Sequence, residues 1–140
     1  DTVSNYGKAI DPLADKVFYL SAMAAACIGA KQLIHEQLLL SMLVVMLPAL
    51  YYEFRLVAVA VITERECLKR NMAEPTGANT WGKSKFGIQA VAVFVVFGLP
   101  WPTLAFSIAI SLVALSLPFA HLSLRGHQLD LEAIRIKPAN

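Results

Sequence analysis

The sequence predicts an all-α fold, a polytopic membrane helical bundle with four transmembrane helices in one small domain. Three observations predict it. Of 140 residues, 57% are hydrophobic and only 16% are charged, whereas a soluble domain holds roughly 45–50% apolar and about 25% charged residues. The apolar residues come in long blocks rather than amphipathic stripes, the pattern of segments that meet lipid. Polar or proline-rich breaks divide these blocks into four.

The first block runs from about Val17 to Ile34 and the second from about Leu38 to Ile62. The third, Phe86 to Leu99, is shorter and needs Gly82 to Ser84 to start its helix at the interface. The fourth runs from about Thr103 to Leu122. A helix needs about 20 residues to cross the hydrocarbon core. Gly98-Leu-Pro-Trp-Pro102 cannot continue a helix, so the last two blocks are expected to form a tight hairpin. Pro48 is expected to kink the second. Residues 1–16 form a polar head, 17–122 the four spans and 123–140 a cytoplasmic tail that is polar from Gly126 onward.

Charge sets the orientation. With the N-terminus in the cytoplasm, Lys8, Lys16, Arg65, Lys69, Arg70, Lys83, Lys85, Arg125, Arg135 and Lys137 fall on the cytoplasmic side. Lys31 alone falls outside, and Arg55 lies within a span. That partition obeys the positive-inside rule, and Trp81 and Trp101 fall at opposite interfaces. A net charge of +2, with no basic run, argues against nucleic acid as a partner. Cys27 and Cys67 have neither metal-type spacing nor an evident pairing. The first sixteen residues carry Asp1, Asp11 and Asp15, unlike a secretory signal. The chain opens without methionine, and we expect it to be part of a longer protein.

The chemistry-bearing stretch is Gly7-Lys-Ala-Ile-Asp11-Pro-Leu-Ala-Asp15-Lys16. Asp11 and Asp15 are four apart and share a helix face, with Gly7 one turn earlier. Hard divalent cations take such oxygen ligands and bind substrate phosphates with them. Glycine admits close approach to the backbone. A plainer reading stands beside this one: Asp11 caps a helix, Pro12 occupies its first turn and Asp15 is a solvated acid. Glu53 and Arg55 lie inside the second block, at i,i+2, and so do not face each other. Each is expected to have a partner elsewhere, with Glu53 too deep to reach the level of the head. His121 reads as interfacial packing.

Gly-x-x-x-Asp-x-x-x-Asp at Gly7, Asp11 and Asp15 resembles the second half of the signature of CDP-alcohol phosphotransferases. Asp11-Pro-Leu-Ala-Asp15-Lys16 is most similar to the phosphatidylglycerophosphate synthase branch and related cardiolipin synthases. Trp81-Gly-Lys83-Ser-Lys85-Phe-Gly-Ile-Gln89 resembles the Gly-Lys-x-Lys-Thr-x-x-Gln element of that first branch, with Phe86 in place of threonine. The family's Arg-Glu pair is better matched by Arg65-Glu66 than by Glu53 and Arg55. The first half-signature, Asp-x-x-Asp-Gly-x-x-Ala-Arg, and two helices with it would precede Asp1. We therefore expect this stretch to be inactive by itself.

The resemblance implies transfer of a phosphatidyl group from CDP-diacylglycerol to glycerol-3-phosphate with release of CMP. It implies two divalent ions, Mg2+ or Mn2+, at the bilayer surface. Asp11 corresponds to a metal ligand, Asp15 to the general base and a further ligand, and Gly7 to the glycine beside the nucleotide. The acceptor phosphate needs cations, and Arg65, Lys83 and Lys85 are on the right side to supply them, although positive-inside topology alone also accounts for them. The implied location is a bacterial or organellar inner membrane, with the site facing cytoplasm or matrix. Helix faces lacking partners lead us to expect isolated material to be unstable or to oligomerise, with a homodimer as one such assembly. Other readings are a cardiolipin synthase, a non-catalytic membrane subunit, or a transporter subunit using Glu53 and Arg55.

Overall fold

The computed structural model describes the backbone of residues 5–70, 72 and 79–136, and the side chains of 14, 16–70, 72 and 79–136. Within them lie four helices in chain order: α1 Asn5–Ala30, α2 Glu36–Lys69, α3 Thr80–Gly98 and α4 Pro102–Ile136.

Each boundary has a local cause. Lys31 to His35 turn the chain between α1 and α2, with Leu33 and Ile34 N–H groups donating to the Ala30 carbonyl. Glu36 opens α2 and Lys69 closes it, each charge complementing the helix dipole. Glu66 pairs with Lys69 at 3.2 Å and Arg70 at 3.8 Å, so α2 continues past the apolar block. Asn79 caps α3 by accepting from the Gly82 N–H at 2.8 Å. Leu99, Pro100 and Trp101 separate α3 from α4, and Pro102 takes the first helical position, where its missing N–H costs nothing. The expected hairpin is present, with α4 packed along both α3 and α2 and α1 lying against α3.

Several expectations change. Among the described residues two helices, α2 and α4, are long and apolar enough to cross a membrane, not four. The apolar part of α1 is the shorter Lys16–Ala30, and α3 carries Lys83, Lys85 and Gln89 in its first half. α1 starts at Asn5, so Asp11 and Pro12 lie within it rather than at its cap. The segment read as a polar tail continues α4 to Ile136 and buries Leu131 and Ile134. Pro48 and Pro118 both sit inside long helices.

Two apolar clusters form the core. The larger joins all four helices through residues such as Met23, Met46, Val93 and Val113. The smaller joins α2 to α4 through Leu56, Val59, Leu124 and Leu131. On α2, Ala49 belongs to the first and Leu56 to the second. Glu53 lies between them. Outward faces are also apolar: Ile28, Phe54 and Phe94 are each more than 70% exposed. Such a surface suits lipid better than water.

Candidate functional site

The helices alternate in direction and gather the polar side chains at one end. Along α3 the buried residues are Lys85, Gln89, Ala92 and Val93, at helical spacing. Lys85 and Gln89 therefore share the face that meets α2, where Glu53 is buried. The Lys85 ammonium donates to Glu53 Oε1 at 2.5 Å, and Gln89 Nε2 donates to the same oxygen at 3.4 Å. From α1, Lys16 Nζ approaches Glu53 Oε2 to 3.8 Å, and this oxygen receives no hydrogen bond among the described residues. One carboxylate thus serves two ammonium groups from two helices.

This cluster has a physical logic. A charge inside an apolar bundle is tolerated only when paired. Glu53 pairs with buried Lys85 and with half-buried Lys16, so the cluster is held within the chain and keeps a net positive charge. Lys16, next to Asp15 on α1, reaches Glu53 through the length of its side chain.

Around the cluster, Asn79 Nδ2 donates to the Ser123 carbonyl at 3.0 Å and ties the start of α3 to α4. Gly126 makes this possible, since a Cβ there would lie 2.8 Å from Asn79 Nδ2. His127 is within electrostatic reach of Asp130, Lys16 and Lys85. Asn79, Trp81, Arg125, Gly126 and Asp130 help line a groove of about 420 Å³ at this end. Tyr52 and His121 meet at 3.4 Å between α2 and α4, so the packing role read for His121 includes a polar contact.

The sequence-predicted residues divide. Gly7 and the side chains of Asp11 and Asp15 lie outside the described residues; the helical backbone of α1 runs through all three positions. Lys85 is buried on Glu53, whereas Lys83, two residues earlier, is exposed. Arg65 is exposed on α2, more than three turns or roughly 18 Å past Glu53. Arg55 also faces outward and has no ion pair among the described residues. The structure thus brings Lys85 to the level of Lys16 but leaves Arg65 apart. Sequence reasoning missed Glu53 as the hub, together with Asn79 and Gly126. A lysine and a glutamine four apart in an apolar helix were the available signal for a buried counter-ion.

Among the described residues no three His, Cys, Asp or Glu side chains come together as a metal site. Asp11 and Asp15, expected from sequence to hold a divalent cation, lie one turn apart along the helical backbone of α1. A family model, CDP-alcohol phosphatidyltransferase, matches residues 1–122, which takes in that pair and the polar cluster. No curated protein and no solved structure matches the chain.

Proposed function

The chain belongs to the CDP-alcohol phosphatidyltransferase family, and on that premise we propose that it serves in phosphatidyl transfer from CDP-diacylglycerol to glycerol-3-phosphate, contributing part of the site. The family is membrane-integral, divalent-metal dependent and concerned with phospholipid synthesis, and two helices here have the length and apolarity to span a bilayer. The observation that carries the narrower reading is positional. The helix bearing Gly7, Asp11 and Asp15 delivers its next residue, Lys16, to a cationic cluster that includes Lys85 of the Gly-Lys-Ser-Lys stretch.

In this reading Asp11 and Asp15 hold the divalent ions, Mg2+ or Mn2+. When bound, such ions neutralise the pyrophosphate and stabilise charge in the transition state. Asp15 accepts the proton of the acceptor hydroxyl. The hydroxyl oxygen then bonds to the phosphorus that bears the diacylglycerol, and the bridging oxygen leaves with CMP. Gly7 leaves room for the nucleotide against the backbone. Exposed Lys83 supplies a charge-assisted contact to the acceptor phosphate. Lys85, held by Glu53, adds positive potential at the same level, and Arg65 attracts anionic substrate from farther along α2. In this reading the polar end faces the cytoplasm or matrix, the side that its lysines and arginines favour.

The test is the intact gene product reconstituted in lipid with CDP-diacylglycerol, Mg2+ or Mn2+, and a choice of acceptors. CMP release that depends on glycerol-3-phosphate and is lost in Asp15→Asn supports the proposal. Release that depends instead on phosphatidylglycerol reassigns the chain as a cardiolipin synthase. Release with no alcohol tested removes the enzymatic reading and leaves a membrane subunit.

A further inference from the structure

We infer that Glu53 is a positioning residue: it holds Lys16, and with it the Asp11–Asp15 turn of α1, in register against α2 and α3. The inference rests on the reaction proposed above for its meaning, but its evidence is the packing. The described contacts of α1 with the bundle are chiefly apolar and flexible. Met23, Ala26 and Ala30 are buried by shape alone, and the Tyr19 hydroxyl reaches only the Met46 sulfur, at 3.6 Å. Contacts of this kind are nearly indifferent to a small slide or rotation of the helix. An ion pair is not. Among the described residues, Lys16 to Glu53 is the charged contact between α1 and the rest of the bundle, and Lys16 directly follows Asp15.

Glu53 is built to hold both sides. Its Oε1 is taken by Lys85 and Gln89, which lock it to α3. Its Oε2 is buried, receives no hydrogen bond among the described residues and faces α1. The carboxylate cannot turn toward Lys16 without releasing Lys85, so the position of α1 is set relative to α3. Asp15 and the Gly-Lys-Ser-Lys stretch are thereby held at a constant separation.

Glu53→Gln tests this, because it keeps the shape and an acceptor oxygen for Lys85 but removes the charge that draws Lys16. The readouts are the Mn2+ dissociation constant by electron paramagnetic resonance and the kcat and KM of CMP release, all on the intact protein in lipid. A roughly tenfold weaker Mn2+ affinity, with kcat lowered at least tenfold and KM for glycerol-3-phosphate nearly unchanged, is the expected result. Lys16→Met should give the same shift, and the double variant should add nothing further, as for two halves of one contact. A purely structural role would reduce the folded fraction but leave the Mn2+ constant of the folded protein where it was. A folded Glu53→Gln with unaltered Mn2+ affinity and kcat overturns the inference. Should Glu53→Gln fail to fold, Lys16→Met decides by the same measurements. Should the unaltered protein bind Mn2+ yet release no CMP, the proposed reaction fails and the Mn2+ constants alone judge the positioning role.

Discussion

The two ends of this bundle are held together in different ways. At one end, Ala25, Ala26, Gly29 and Ala30 of α1 face Val96, Phe97 and Phe106 across a hollow of about 190 Å³. Among the described residues no side-chain hydrogen bond or ion pair joins the helices across it. At the other, Glu53, Lys85, Gln89 and Lys16 form a buried ionic cluster, and Asn79 bridges α3 to α4 through its cap. The apolar end sets how close the helices come. The polar end sets their register, because buried charges tolerate few arrangements whereas methyl groups tolerate many. Register matters most beside the carboxylates proposed to do chemistry, and the directional contacts are found there.

Substitutions at the two ends should therefore differ in size and kind. The largest effect belongs to Asp15→Asn, which should lower CMP release by about a hundred- to ten-thousand-fold by removing the general base, with thermal stability retained. Near-normal release would take Asp15 out of that role. Next, Glu53→Leu strands the buried Lys85 ammonium and removes the partner of half-buried Lys16, and should destabilise the protein by about 3–5 kcal/mol. Thermal unfolding in detergent measures this, and adding Lys85→Met should recover much of the loss. If Glu53→Leu melts like the parent, the polar end does not hold the register.

Lys83→Ala should raise the KM for glycerol-3-phosphate about ten- to a hundred-fold and leave the KM for CDP-diacylglycerol nearly unchanged. Equal effects on both substrates would make Lys83 a topological charge only. The smallest effects give the cleanest contrast, because they make one change at both ends. Gly126→Ala places a Cβ 2.8 Å from Asn79 Nδ2, whose amide is pinned on the Gly82 N–H and the Ser123 carbonyl. Loss of that cap should cost about 1 kcal/mol. Gly29→Ala meets nothing within 4 Å and should stabilise α1 by a few tenths to about 1 kcal/mol. Opposite shifts in melting temperature support the contrast between the ends, and shifts of the same sign break it.

Much of this was legible from residues alone. The helical class, the breaks near Lys31 and at Leu99-Pro-Trp-Pro102, and the membership implied by Gly7, Asp11 and Asp15 all follow from local sequence. Hydropathy and capping act over neighbouring residues, so a single chain reports them. Helix extent was less legible. The polar stretches after Ile62 and Leu122 read as loop and tail, yet α2 and α4 continue through them, with Cys67, Leu131 and Ile134 buried.

By itself the sequence determined that this protein is a helical membrane chain with two carboxylates one turn apart, ahead of an apolar block. Only the tertiary structure decided that Glu53 is the shared counter-ion of Lys16 and Lys85, that Lys83 is exposed while Lys85 is not, and that Arg65 stands apart. The reason is physical. Which charge neutralises which is set by distance in space, and the partners of Glu53 come from two other helices. Helical periodicity places a residue on a face, but the packing of α1, α2 and α3 decides what that face meets.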